Sequence, residues 1–248
     1  MLKKLGSCVL VCIAVLAGTS SAYAQRTAPA FSSADEAKHT VNFTFGLFTP
    51  FKDDARVEGD VLNANSTFLE MPPVGSGFDI DEFRSGTFGV EWLIPIGSFV
   101  EAGAGLSYQK KTVDTIYADF FDSDGSEIDQ ELSLRQVPLS FTVRGGLFGD
   151  SPVQPYGGLG FNITRWKYSE IGEFIGENDL IFDGEFEADG WSTAPVFLVG
   201  VKFAGDAFAV GIEFRRVWNA EGDLPTEFFG SKIDLGGSIV QGTLGVRF

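Results

Sequence analysis

Residues 236–248 read Gly-Gly-Ser-Ile-Val-Gln-Gly-Thr-Leu-Gly-Val-Arg-Phe. Val240, Gly242, Leu244, Val246 and Phe248 share one parity, while Gln241, Thr243, Gly245 and Arg247 share the other. A period of two with one apolar and one small or polar face is a β-strand whose two sides meet different surroundings. What a chain of such strands can build depends on how often the pattern recurs and what joins the repeats.

It recurs seven more times. Alternating segments run through residues 39–49, 84–96, 98–110, 132–147, 155–167, 191–203 and 207–218, with the last spanning 233–248. Phe43, Phe45 and Leu47 mark the apolar face of the first; Phe88, Val90 and Trp92 mark the second; Phe208, Val210, Ile212 and Phe214 mark the seventh. Short turns fall near Gly97, around Gly149–Pro155 and at Gly205-Asp206; long connections span 50–83, 111–131, 168–190 and 219–232. With 14% aromatic residues and 31 glycines, the composition suits short strands and tight turns. Alternation of short and long connections is the asymmetry of a membrane barrel with short periplasmic turns and long extracellular loops. A soluble β-sandwich has no reason to show it. The fold expected is all-β: an eight-stranded antiparallel up-and-down transmembrane β-barrel with long extracellular loops.

The other end of the chain points to export. Lys3 and Lys4 precede an apolar run from Leu5 to Ala17, and Ala22-Tyr23-Ala24 is a small-residue cleavage site. Residues 1–24 read as a signal peptide and 25–38 as a short periplasmic leader, leaving 39–248 as the barrel. Leu5-Gly6-Ser7-Cys8 has the residue types of a lipoprotein box, but it precedes the apolar core, which argues against lipidation. Cys8 and Cys12 both lie in the signal, so the exported chain carries no thiol chemistry. The chain holds 18 Lys and Arg against 34 Asp and Glu. Nucleic acid is an unfavourable partner for that balance.

Pro155-Tyr156-Gly157-Gly158-Leu159-Gly160 resembles a Pro-Tyr-x-Gly-x-Gly strand opening, and Glu213-Phe214-Arg215 resembles a Glu-x-Arg strand. Together with the Phe248 terminus, these resemble the OmpA/OmpX-type outer-membrane β-barrel family over residues 39–248. The resemblance implies a bacterial outer-membrane location. It also implies that Leu244, Val246 and Phe248 form the signal read by the outer-membrane assembly machinery. It specifies fold far better than activity.

A barrel of eight strands is just wide enough for its interior side chains to fill it. The inward parity brings Glu91, Glu101 and Glu213 against Arg144, Lys202 and Arg215. Mutual pairing offsets most of the cost of desolvating six charges. Gly103, Gly105, Gly158, Gly160 and Gly211 share that parity and leave room for the long side chains. A plugged lumen is expected, with a narrow conduit as the alternative.

Catalysis by a lipid hydrolase or acyltransferase needs a nucleophile and usually a nearby His. The one histidine, His39, starts the first strand, and its neighbour Thr40 points to the other face. It reads as an interfacial residue, and no enzyme is expected. Asp122-Ser123-Asp124-Gly125-Ser126-Glu127-Ile128-Asp129 offers oxygen ligands, but its glycine is misplaced for a helix-flanked calcium loop. It reads as a solvated acidic turn, and no cofactor or metal is expected.

Charge is distributed unevenly. The four long connections, the fourth taken through Asp234, hold 27 of the 34 acids, together with aromatic residues such as Phe68, Phe120, Phe186 and Phe229. Such aromatic content opposes disorder. The strands are therefore expected to continue above the membrane as hairpins, with loops packed on one another. Arg84, Lys110, Arg135, Arg165, Arg216 and Lys232 point outward near the extracellular strand ends, placed to meet lipopolysaccharide phosphates at the interface. The function expected is a non-enzymatic barrel serving envelope structure or surface interaction. A small-solute channel is the alternative and a lipid-modifying enzyme the third choice. Outer-membrane lipid and an extracellular ligand are its expected partners.

Overall fold

Alternating side chains can satisfy two environments only if the sheet has a distinct inside and outside, and here closure supplies them. The computed structural model describes residues 38–51, 57–146, 152–176 and 179–248. Eight long strands form it: β1 (Thr40–Pro50), β2 (Ser85–Pro95), β3 (Val100–Phe121), β4 (Glu127–Gly146), β5 (Val153–Ile175), β6 (Ile181–Ala204), β7 (Phe208–Val217) and β8 (Gly237–Arg247). Each pairs antiparallel with its sequence neighbours, and β8 returns to β1 through Thr40↔Arg247 to Pro50↔Gly237. The ring is an up-and-down meander without a free long edge, which removes the unpaired backbone groups that hydrocarbon cannot solvate.

Parity follows the alternation. Phe45, Leu159 and Ile212 point outward at 62%, 63% and 63% exposure, as do Phe43, Phe88, Phe197 and Val240. An exterior band of this kind is tolerated where the solvent is lipid. Asn42, Thr44, Ser140, Thr142, Asn162, Gln241 and Thr243 are buried inside. Leu93, Leu198 and Val196 also point inward, so the interior is polar with apolar patches rather than wholly polar.

Four strands are about twice as long as a bilayer requires. β3, β4, β5 and β6 have 22, 20, 23 and 24 residues, against about 10 for a crossing. Most of 111–131 and 168–190 is therefore strand rather than connection, with a turn at Asp122–Ser126 and the Gly176 N–H bonded to Leu180 O. The ladder persists above the membrane because its inner face has something to pack on. Val113, Leu132, Leu134, Trp166 and Tyr168 are buried in one cluster with Val61, Leu62, Phe78, Ile80 and Phe83 of the first long connection. That connection carries a short helix α1 (Val61–Asn65), a strand Leu69–Met71 paired to β3, and a 3-10 turn Ile80–Phe83. Asp79 caps the turn by accepting the backbone N–H of Asp81.

The fourth long connection joins the same cluster. Its hairpin, Glu221–Asp223 against Lys232–Asp234, contributes Ile233, and Phe228 and Leu235 lie beside it. Trp166 lies against Gly190 and Gly222, where an added Cβ would stand 3.0 Å or less from the indole. Connections one and four hold each other through Ser231 N–H to Gly59 O (3.0 Å), Asp234 N–H to Asp60 Oδ1 (2.8 Å) and the Phe68–Phe229 ring pair. Each fully buried apolar side chain contributes about 1.5–3 kcal/mol relative to exposure. The expected signal peptide, its cleavage site at Ala24, Cys8, Cys12 and nearly all of the leader lie outside the described residues, as does part of the turn around Gly149–Pro155.

Candidate functional site: lumen, cap and basic belt

The six lumen charges fall into two groups. β2 supplies Glu91, β4 supplies Arg144, and β7 supplies Glu213 and Arg215, all buried. Arg144 Nη2 donates to both Glu91 oxygens at 2.6 Å and meets Glu213 Oε2 at 3.0 Å. Arg215 Nη2 donates to Glu91 Oε1 at 2.7 Å, and its Nε donates to Glu213. Because β4 and β7 are three strands apart around the ring, these bonds cross the barrel interior. The other group is a pair: Lys202 Nζ donates to Glu101 Oε1 at 2.6 Å.

Two residues complete the cluster that were not among the charges chosen from sequence. Tyr156 donates its hydroxyl to Glu213 Oε2 at 2.8 Å, while Arg144 lies over its ring at 5.1 Å. Gln241 donates to Glu213 Oε1 at 3.0 Å. Tyr156 was legible by parity, since it shares a face with Gly158 and Gly160, but a fold motif masked that role. Gly200 accommodates it: a Cβ there would stand 2.6 Å from the phenol oxygen. Gly105 does the same for Glu91, whose Cβ and Cγ would lie 3.2 and 3.3 Å from an added methyl. Beside the cluster, Thr44, Ser107, Asn162 and Gln241 help to line a cavity of about 20 Å³, room for roughly one water.

A second polar cluster ties the cap to the barrel. Asn65 of α1 donates to Glu170 Oε1 (2.7 Å) and to Tyr168 Oη (3.2 Å), and Tyr168 donates to Glu170 Oε1 (2.8 Å). Burial pushes the Glu170 carboxyl and the Tyr168 phenol upward. Asp60, which precedes α1, is pushed up to about 6 by burial and by the nearby Asp234 charge, and its Oδ2 has no hydrogen-bond partner. No sequence periodicity marks these residues.

The six residues of the expected belt diverge in their surroundings. Lys110 and Arg135 are exposed on the outer faces of β3 and β4. Arg165 pairs with Asp189 and lies 5.5 Å from the Trp191 ring. Arg216 lies over Phe51 (4.4 Å) and Trp218 (5.0 Å). Arg84 precedes β2 at the end of the 3-10 turn and meets Asp81 at 3.5 Å. Lys232 lies in the cap hairpin rather than in β8, which begins at Gly237, and it donates to Glu221 at 2.6 Å. The hairpin buries Ile233 in the apolar cluster of the cap, and this takes Lys232 away from the barrel wall.

At the opposite end, His39 lies beside Trp92 (5.8 Å) and stacks on Phe248 (6.1 Å), whose N–H donates to His39 O at 3.0 Å. Leu244, Val246 and Phe248 all point outward. Asp124 accepts from Ser126 N–H (2.9 Å) and Ser126 Oγ–H (2.7 Å), which hold its carboxyl below the usual range. Among the described residues no group of three or more His, Cys, Asp or Glu is placed to hold a metal ion.

No family model matches the chain, and no curated protein sequence matches it. Solved structures do. The outer membrane protein OprG from Pseudomonas aeruginosa is similar at 13% identity and a TM-score of 0.52, over 86% of this chain and 96% of that one. Ail, the attachment invasion locus protein of Yersinia pestis, gives 11% identity and a TM-score of 0.44, over 86% and 99% of the two chains. Neisserial surface protein A gives 10% and 0.42, over 86% and 98%. At such identities the likeness to OprG shows the fold and leaves the activity open.

Proposed function

We propose that this chain, whose fold is that of the small OmpA/OmpX-like outer-membrane β-barrels, is a non-enzymatic barrel with a closed lumen that works through its surfaces. The observation that carries this reading is the pair of seals in series. Glu91, Arg144, Glu213 and Arg215 bridge the interior within the membrane band, and connections one and four fill the mouth above them with an apolar core. Desolvated ion pairs held from three strands resist hydration of a path, because opening it strands buried charges. The exposed surface is then the working part. It consists of acidic hairpins with exposed Phe68, Phe120, Phe121, Phe182 and Phe229, suited to an extracellular ligand. The wall below contacts outer-membrane lipid, with Lys110 and Arg135 facing lipopolysaccharide phosphates. Leu244, Val246 and Phe248 serve as the signal for the assembly machinery.

Planar-bilayer recording of the purified protein tests the closed lumen. The expected result is no stable opening of porin size. Large, sustained openings of the wild type would favour the small-solute channel instead.

A further inference from the structure

The strand register places like charges side by side on the outer wall. Lys110 of β3 is the direct partner of Arg135 of β4, and Arg135 is the direct partner of Lys167 of β5. All three share the outward parity, so three cations lie in a row across neighbouring strands about 4.8 Å apart. Like charges directly opposite one another destabilise a sheet. Lys167 is paired with Glu187. Among the described residues no acid closes an ion pair on Lys110 or Arg135.

The row has a direction. One layer up, the Thr112 and Ser133 hydroxyls meet at 3.1 Å across the same strand pair, and above them stand Asp114 and Glu131, themselves direct partners. One layer down the wall turns apolar, with Tyr108, Val137 and then Leu106 and Leu139. An anion in bulk water must pass the acids to reach the row. An anion carried on a lipid arrives from the apolar side and meets the cations first.

We infer that Lys110, Arg135 and Lys167, with the Thr112 hydroxyl, form a binding site for the phosphate groups of a phosphorylated outer-leaflet glycolipid. The inference rests on the lipid-facing cations proposed above. Arg84, Arg165 and Lys232 are occupied by acids and Arg216 by aromatic rings, so they stay outside the site; Lys167, although paired with Glu187, is included because the register sets it directly beside Arg135. A phosphate bridging Lys110 and Arg135 would neutralise the repulsion between them and accept several charge-assisted hydrogen bonds.

The test is binding of diphosphorylated lipid A to the purified protein in phosphatidylcholine nanodiscs, at low and high salt. Dephosphorylated lipid A and inorganic pyrophosphate serve as the other probes. The combined Lys110→Gln, Arg135→Gln, Lys167→Gln variant is expected to bind diphosphorylated lipid A about tenfold more weakly, with most of the loss at low salt. Dephosphorylated lipid A is expected to bind weakly to both proteins, and pyrophosphate not to compete. The Arg84→Gln, Arg216→Gln variant is expected to bind like the wild type. Heat-dependent gel mobility reports folding of each variant, and the charge-preserving Lys110→Arg, Lys167→Arg variant should retain binding. Equal losses in the two Gln variants would overturn the site while leaving a diffuse belt. No preference of the wild type for the phosphorylated lipid would remove both. Pyrophosphate competing as well as the lipid would overturn the lipid as the source.

Discussion

At the scale of single residues, the barrel depends on a few buried polar groups with several partners each. Glu213 accepts from Arg215, Tyr156 and Gln241 and lies 3.0 Å from Arg144. Glu213→Gln therefore leaves two guanidinium groups sharing Glu91 as their remaining carboxylate, at a cost on the order of 3 kcal/mol. Adding Arg144→Met should recover part of the loss. Denaturant midpoints for the two single variants and the double variant check this, and strict additivity would show that the residues are not coupled. Asp60 makes a pH prediction. Its carboxyl is raised from 3.8 to about 6 in the docked cap. The docked state thus favours the protonated form, and that contribution is complete below about pH 4. It is lost as pH rises through about 6, and the change is worth about 3 kcal/mol. The charged and titratable neighbours are Asp234, Tyr168 and Lys232, and Glu170, bonded to Tyr168, is raised in the same direction. Hydrogen exchange at α1, corrected for intrinsic rate, should show weaker protection at pH 8 than at pH 4.5. Asp60→Asn should flatten much of that difference.

At the scale of elements, alternation carries information only where two faces meet different media. β1, β2 and β7 are readable almost to their ends because lipid lies on one side and a polar interior on the other, whereas the alternating segment 233–248 begins in the cap hairpin and β8 only at Gly237. In the sequence the upper halves of β3–β6 fall within the long connections, which are expected to continue as hairpins. Their inner residues pack on another segment of the chain, and no local pattern states which one. α1 and the turn at Ile80–Phe83 were invisible for the same reason: each is too short to show a helical period. β8 closes the ring by pairing with both β1 and β7. Deleting Phe248 removes the aromatic end of its outward row, the Phe248–His39 hydrogen bond and the proposed assembly signal. The amount of protein recovered in the outer membrane should fall severalfold. Normal levels would refute the role given to Phe248. A bulkier residue at Gly222 should expel Trp166 from its slot and loosen the cap while the lower barrel stays intact. Tryptophan fluorescence shifted to longer wavelength, with heat-dependent gel mobility retained, is the expected pair of readings.

At the scale of the whole molecule, the proposed closure by two seals in series predicts that releasing one leaves the barrel shut. Glu213→Gln with Arg144→Met weakens the lower seal. Val61→Asp with Leu62→Asp weakens the upper one by placing charges in an apolar core. Conductance is expected only when both sets are combined. Steady openings from either set alone would show that a single seal closes the lumen. By itself the sequence determined the closed eight-stranded wall, its lipid face and the parity that sends Glu91, Arg144, Glu213 and Arg215 inward, because period-two burial is written locally in every strand. Only the tertiary structure decided that Lys202 pairs with Glu101 apart from the larger cluster and that Tyr156 joins that cluster. The same holds for the first connection turning into the mouth and for Lys110, Arg135 and Lys167 standing in one row. Those outcomes depend on register and on contacts between segments far apart in the chain, which alternation does not encode.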